Sequence, residues 1–241
     1  METKRVFLFL NERDYEAASD RMNSFLKSGF QFHRDVIGRD RLVSLREEAG
    51  RLATKTGAAC LRGIRQRSKT FNQLATDPAV LALIPKGFEP VRSLLFDKTP
   101  EENWPILWHQ DLTIAVEEQI ELDGYGPWSV KNGVPHVQPP VAVLEKMVTA
   151  RIHLDDAGAD NGALRVIPGS HREGKIKSVG DSRDFSEIES VCECRAGDVL
   201  LLSPLILHAS GRSKSPSHRR FVHFEYADLN SLDSALKWQE K

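Results

Sequence analysis

The sequence predicts a mainly β fold of jelly-roll type with flanking helices in an N-terminal layer. Three observations lead there. Up to about residue 90 the apolar residues recur at helical spacing, from Val91 onward the period shortens to that of strands, and 241 residues at 40% hydrophobic suffice for one core of this kind. No repeat, low-complexity tract or linker divides the chain. Residues 1–241 therefore read as one domain, with 1–90 as helical support and 91–226 as the β core.

In chain order, Asn11 to Ser28 places Tyr15, Ala18, Met22, Phe25 and Leu26 at helical spacing, with Asn11 as the N-cap and Gly29 as the stop. Phe30 to Ile37 alternates as a strand, and Leu42 to Thr56 reads as a second amphipathic helix that ends before Gly57. A third helical stretch, Lys69 to Leu83, is interrupted at Asp77-Pro78, where a new helix starts more naturally than the old one continues. No catalytic residue stands out in this part, so it is expected to buttress one face of the β core.

Val91 to Phe96 is a strand entering the turn Asp97-Lys98-Thr99-Pro100, and Trp104 to Val116 contains the next. Glu117 to Val141 loses periodicity, broken by Gly124, Gly126, Pro127, Gly133, Pro135, Pro139 and Pro140; a loop of that length inside a compact domain is usually functional. Anchored beside the strand before it and the strand after it, residues 117–141 are expected to form a lid, with Trp128, His136 and Gln138 as substrate contacts. From Lys146 to Leu154, Val148, Ala150, Ile152 and Leu154 share an apolar face, while Met147, Thr149, Arg151 and His153 look into either solvent or a polar cavity. An acidic turn to Gly162, a strand from Ala163 to Ile167, and the tight turn Pro168-Gly169-Ser170-His171 follow, and His171 reads as structural. The charged stretch Arg172 to Ser190 is expected on the surface, before strands Val191 to Arg195 and Val199 to Leu202. Leu232 to Lys241 reads as a short surface helix or tail.

Charge limits the partners. With 33 basic and 34 acidic side chains there is no basic surplus to hold a phosphate backbone, so nucleic acid is not expected as a partner. No run approaches the length of a membrane span and no cleavage-type leader is visible, so a membrane is not expected either and the cytoplasm is the expected location. Cys60, Cys192 and Cys194 fit a reduced compartment. Cys192-x-Cys194 could hold a metal, but two cysteines buried on one strand face are the simpler reading.

The chemistry gathers around Trp108-His109-Gln110-Asp111. If this segment is a strand, His109 and Asp111 share a face about 6 to 7 Å apart along the chain. An imidazole and a carboxylate that each reach about 2.0 to 2.2 Å to one ion make two corners of the two-histidine, one-carboxylate facial set, which leaves other metal positions open. A third corner is offered by His208, which closes the apolar run Leu200 to Leu207 and precedes Ala209-Ser210-Gly211. Arg219 stands eleven residues beyond His208 at the head of an alternating strand, and a guanidinium there can grip a carboxylate through two charge-assisted hydrogen bonds.

With His109-x-Asp111, the segment Asn161-Gly162-Ala163-Leu164-Arg165-Val166-Ile167-Pro168-Gly169-Ser170-His171 and His208-Ala209-Ser210-Gly211 followed by Arg219, the chain resembles the phytanoyl-CoA dioxygenase family of iron(II)- and 2-oxoglutarate-dependent oxygenases. The likeness is good from about Val91 to Tyr226 and faint before. It implies a double-stranded β-helix, a cupin-like jelly roll, with His109, Asp111 and His208 as catalytic iron ligands. It also implies Arg219 and Ser210 on the distal carboxylate of 2-oxoglutarate, and it places Arg151 at the barrel mouth, where it could meet an anion or the substrate. The activity implied is dioxygenase chemistry with Fe(II), 2-oxoglutarate and dioxygen, oxidising a small-molecule substrate with release of succinate and carbon dioxide. Related halogenases carry a small residue at the carboxylate position, so Asp111 favours hydroxylation or a related oxidation. A cupin-like protein that holds zinc or nickel for binding or a non-oxidative reaction is the alternative; it offers no use for Arg219. A CoA-ester substrate would want a basic patch at the pocket mouth, and none stands out in the sequence.

Overall fold

A computed structural model of the chain describes residues 23–56, 60–98, 105–177, 185–214 and 218–240. Most of the expected first helix lies outside these residues; 23–28 are helical (α1) and end where expected, with Gly29 donating its N–H to the Phe25 carbonyl at 2.7 Å and taking a positive φ of 82°. Strand β1 (Phe30–His33) is followed by α2 (Arg39–Thr56), β2 (Cys60–Arg62), α3 (Ile64–Arg67), α4 (Lys69–Ala75) and α5 (Pro78–Leu81). The break at Asp77-Pro78 is a cap: the Asp77 carboxylate accepts from the Ala79 N–H at 2.8 Å, and Pro78 opens α5.

Then come β3 (Phe88–Lys98), β4 (Ile106–His109), β5 (Ile114–Ala115), β6 (Trp128–Lys131), β7 (Val134–Val137), α6 (Val141–Leu144), β8 (Met147–His153), β9 (Leu164–Val166), β10 (Ser190–Cys192), β11 (Val199–Leu202), β12 (His208–Ser210) and β13 (Arg219–Asp228). They form a six-stranded sheet in the order β1-β11-β8-β13-β3-β2, a four-stranded sheet β10-β9-β12-β4 and a three-stranded sheet β5-β7-β6, with every pairing antiparallel. This is the mainly β jelly roll that the sequence predicts.

Helices α2 to α5 cover one face of the large sheet. Leu95, Val148, Ala150, Ile152, Val222, Phe224 and Tyr226 pack there against Leu45, Leu52, Phe71 and Leu74 in one buried cluster, and the Tyr226 hydroxyl donates to the Ala75 carbonyl at 2.9 Å. The other face of the sheet is also buried, but polar. Thr149, Arg151 and His153 of β8 stand beside Arg219, Phe221, His223 and Glu225 of β13, with Arg92, Leu94, Phe96 and Lys98 of β3 beyond them. Of the two readings open for the Arg151 face, solvent is thus excluded.

Several elements differ from the sequence reading. Residues 128–137 form a hairpin, β6–β7, closed by Asn132-Gly133 with both φ values positive, the two-residue turn that matches strand twist. The C-terminal stretch is buried rather than a surface helix: Leu236 and Trp238 join an apolar cluster, Trp238 bridges Val116, and the Glu240 carboxylate accepts from the Ser93 N–H and hydroxyl. Between Arg172 and Ser190 the chain is not all surface, since Ile176 and Phe185 pack with Trp108, Ile167 and Leu207. No helix among the described residues is long and apolar enough to cross a membrane.

Candidate active site

Residues His109, Asp111 and His208 meet where the four-stranded sheet faces the polar side of the large one. His109 ends β4 and His208 begins β12, and the two are direct partners in the ladder, which brings their rings to 4.3 Å between centroids. Asp111 is not in a strand. β4 stops at His109, the Leu112 N–H turns back onto the Gln110 carbonyl at 3.1 Å, and the Asp111 N–H donates to the Pro204 carbonyl at 2.9 Å. That bond fastens Asp111 to the turn leading into His208. The carboxylate lies 3.6 Å from His208 Nε2 and 3.9 Å from His109 Nε2, and one ligand atom from each residue falls within 4.8 Å of the others.

Gln110 secures the loop. Its amide donates to the Gly174 and Leu205 carbonyls at 2.8 and 2.5 Å and accepts from the Ile176 N–H at 2.8 Å. Gly162 brings in the strand on the other side: it takes φ +78°, and a Cβ there would stand 2.6 Å from the Gly211 carbonyl, so only glycine lets this turn approach the end of β12.

The backbone also sets which nitrogen each imidazole presents. His109 Nδ1 lies 2.8 Å from the Leu107 carbonyl and His208 Nδ1 lies 2.9 Å from that of Ile206. A carbonyl can only accept, so Nδ1 carries the proton and Nε2 offers its lone pair toward the shared point. Burial pushes His208 down to about 4, against the raising effect of Asp111. Burial also opposes ionisation of Asp111, but His208, His223, His109 and Arg92 outweigh it and hold the carboxyl well below the usual range. The group is half-open, with His109 and Asp111 side chains 41% and 34% exposed and His208 8%.

On one side of this trio lies a cluster of buried cations. Arg219, Ser210 and Arg151 are 2%, 3% and 7% exposed, and the Arg151 and Arg219 guanidinium carbons stand 3.9 and 5.6 Å from the Phe221 ring centre. Lys98, which sequence reading placed in a turn, is instead opposite Arg219 in the ladder and donates to the Ser210 hydroxyl at 3.2 Å. Burial and the two neighbouring guanidiniums push Lys98 down to about 8, while burial brings Arg151 and Arg219 to about 10. Among the described residues neither arginine makes an ion pair, and both Nε atoms are buried without a partner. Arg220, one residue on, points the other way and is held by two bonds to the Asp155 carboxylate at 2.7 and 3.0 Å.

On the opposite side, Arg92 donates to Glu225 at 2.9 Å and to the Thr113 carbonyl at 3.1 Å, with His223 Nε2 3.4 Å from the same carboxylate. Sequence reading missed Lys98, Arg92, His223 and Glu225; the alternation Arg219, Phe221, His223, Glu225 was the available signal. The sheet β5-β7-β6 covers this side. His136 lines a cleft there, the Trp128 ring packs against the cluster of Val116, Val137 and Val143, and Gln138 pairs through its backbone with Gly126 and Pro127. His171 is remote, its Nε2 at 3.1 Å from the Leu26 carbonyl. Cys192 and Cys194 are free and buried.

Compared with known proteins, residues 9–221 match the family model described as phytanoyl-CoA dioxygenase. The chain is similar to phytanoyl-CoA dioxygenase domain-containing protein 1 homolog of Dictyostelium discoideum, at 26% identity over 102 residues, covering 35% of this chain and 36% of that one. It is likewise similar to peroxisomal phytanoyl-CoA dioxygenase of Homo sapiens, at 28% over 111 residues, covering 39% and 32%. The matches thus span about a third of the length of these curated relatives. Among solved structures, the non-heme alpha ketoglutarate dependent epimerase SnoN from nogalamycin biosynthesis superposes with a TM-score of 0.70 at 19% identity, over 90% of this chain and 82% of that one. HygX from Streptomyces hygroscopicus with nickel and 2-oxoglutarate bound gives 0.63 at 20%, over 86% of each. These likenesses establish the fold.

Proposed function

The chain belongs to the phytanoyl-CoA dioxygenase family, and from that premise we propose that it is an iron(II)- and 2-oxoglutarate-dependent oxygenase that oxidises a small molecule. The observation that carries this reading is the pairing of two features in one interior: a half-open His109, Asp111, His208 donor set, and beside it two buried guanidiniums with orphaned Nε atoms. Buried cations cost several kcal/mol unless an anion joins them, on the order of a pKa unit per 1.4 kcal/mol, and a dicarboxylate that reaches the donor set would be that anion.

The residues fit the group. His109 Nε2, His208 Nε2 and the Asp111 carboxylate would hold the iron, with tautomer and charge already set for it. Arg219 and the Ser210 hydroxyl, with Lys98 at its side and Arg151 across the Phe221 ring, would hold the far carboxylate of 2-oxoglutarate. Iron(II) bound there would supply activation of dioxygen coupled to decarboxylation of the 2-oxo acid to succinate and carbon dioxide. The protein's part is to orient both ligands on rigid strands and to keep the interior dry. Asp111 would supply the carboxylate that related halogenases replace with a small residue, which favours hydroxylation or a related oxidation. Residues 117–141 would close the primary-substrate side as a lid. The zinc or nickel alternative leaves the buried cations without a use.

Anaerobic titration of the protein with iron(II) and 2-oxoglutarate tests the assignment. A weak visible charge-transfer band is expected when both are present and, on admitting air, succinate. No band, or a band unchanged in Asp111→Ala, removes the iron site from these residues.

A further inference from the structure

On the side of the trio away from Arg219 lies a small cleft that opens to solvent. Its wall brings together Arg62, Arg92, Lys131, His136 and Glu240. Two of these charges are already used. Arg92 is committed to Glu225 and the Thr113 carbonyl, and Glu240 to the N–H and hydroxyl of Ser93. The other cations of the wall, Arg62, Arg67 and Lys131, make no ion pair among the described residues, although Arg62 Nη1 donates to Cys60 Sγ at 3.4 Å; Arg62 and Arg92 stand near enough to Lys131 to add to burial in lowering its pKa.

Two polar atoms in this wall are buried without a partner among the described residues, and they are of opposite kind. Arg62 Nε is a donor. His136 Nε2 is an acceptor, because Nδ1 gives its proton to the Val134 carbonyl at 2.9 Å and burial keeps the ring neutral, down to about 4. An orphaned donor and an orphaned acceptor in one cleft are complementary to a molecule with an anionic oxygen and a hydroxyl or amine. The cleft lies toward the reacting centre: Lys131 Nζ, in its wall, donates to the Thr113 hydroxyl at 3.2 Å and is near enough to Asp111 for that carboxylate to act on the ammonium.

We propose that this cleft is the primary-substrate subsite and that the substrate is a compact anion, a carboxylate or phosphate ester held by Arg62 and Lys131, with a hydroxyl or amine donated to His136. That it is a substrate rests on the oxygenase reading; that it binds an anion does not. One interior would then carry two anions, 2-oxoglutarate at the Arg219 end and the substrate at the Arg92 end, with the metal site between them.

The test is calorimetric titration of protein loaded with manganese(II) and 2-oxoglutarate, so that the Arg219 end is filled, using 3-hydroxybutyrate and inorganic phosphate as probes. Binding is expected to weaken about tenfold or more in Arg62→Gln and in Lys131→Gln. His136→Phe should weaken 3-hydroxybutyrate severalfold. Tighter binding of 3-hydroxybutyrate assigns a carboxylate; tighter binding of phosphate assigns a phosphate ester. Failure of both probes to bind, or equal binding in wild type and in variants that melt as wild type does, overturns the proposal. If Arg62→Gln does not fold, Lys131→Gln decides it, since Lys131 sits on the hairpin rather than under the helices. Protein that takes up neither manganese nor 2-oxoglutarate yet binds a probe through Arg62 and Lys131 overturns the oxygenase reading and keeps the anion site.

Discussion

The two faces of the six-stranded sheet are equally buried and chemically opposite. On β8 and β13 the side chains toward the helices are Val148, Ala150, Ile152, Val222, Phe224 and Tyr226, while those one position along are Thr149, Arg151, His153, Arg219, His223 and Glu225. Since strand side chains alternate, the same two segments carry both jobs at once. The outer face supplies free energy by removing apolar surface from water. The inner face gives some of it up by holding Arg151 and Arg219 dry and without an ion pair among the described residues. Stability and function are therefore separable here residue by residue, and substitutions on the two faces should differ in sign as well as size.

The sharpest contrast sets a metal ligand against an outer-face aromatic. His109→Ala, Asp111→Ala and His208→Ala are expected to reduce succinate formation to background while the melting temperature stays within a few degrees. Phe224→Ala, fully buried under the helices, should cost about 3 to 5 kcal/mol in denaturant unfolding and leave the activity of the folded fraction nearly intact. Wild-type succinate rates in two of the three ligand variants would break the comparison at its centre.

A smaller effect tests the sign. Arg219→Leu removes a buried, unpaired charge, so it should raise the apparent Michaelis constant for 2-oxoglutarate by about 10- to 150-fold while the melting temperature without ligand holds or rises. A fall of several degrees would mean that Arg219 is paired in the free protein. Severe loss in Arg220→Ala with a harmless Arg219→Ala would exchange the two faces of β13.

The smallest effect is in pH. Burial, Arg151 and Arg219 push His153 down to about 3, while in the unfolded chain it takes its proton near 6.5. The folded form binds that proton less readily, so the stability gained by keeping His153 neutral is complete above pH 6.5 and is lost as the pH falls toward 3. His153→Phe should flatten the stability profile between pH 6.5 and 4; an unchanged slope would assign it to other groups.

Much of this was legible in the sequence where the code is local. The cap at Asp77-Pro78, the stop at Gly29 and the faces of β8 all follow from periodicity and single-residue preferences, while Arg219 was reached through its offset from His208 and the family resemblance. His109 and Asp111 were rightly brought together on a wrong premise, since the strand ends between them and a bond to Pro204 restores the approach. The Asn132-Gly133 hairpin was readable, but the surrounding prolines and glycines masked its short strands. Burial of Leu236, Trp238 and Glu240 was not, because it depends on Ser93 and Val116, more than a hundred residues away. Arg92 was missed for the same reason, since a charge on a strand reads as solvated until the partner sheet is in place, and Lys98 because it read as part of the turn Asp97-Lys98-Thr99-Pro100 while β3 runs through it.

Three imidazoles, His109, His136 and His208, share one clamp, a ring proton given to the carbonyl two residues earlier in the same chain. The aim of each ring is thus a property of a tripeptide rather than of the assembled barrel. Such a unit is portable: moved as Leu107-Trp108-His109 or Ile206-Leu207-His208 onto another extended segment, it should arrive with its tautomer already chosen. Strand register then remains the one variable that drift or design must tune to bring two such units face to face.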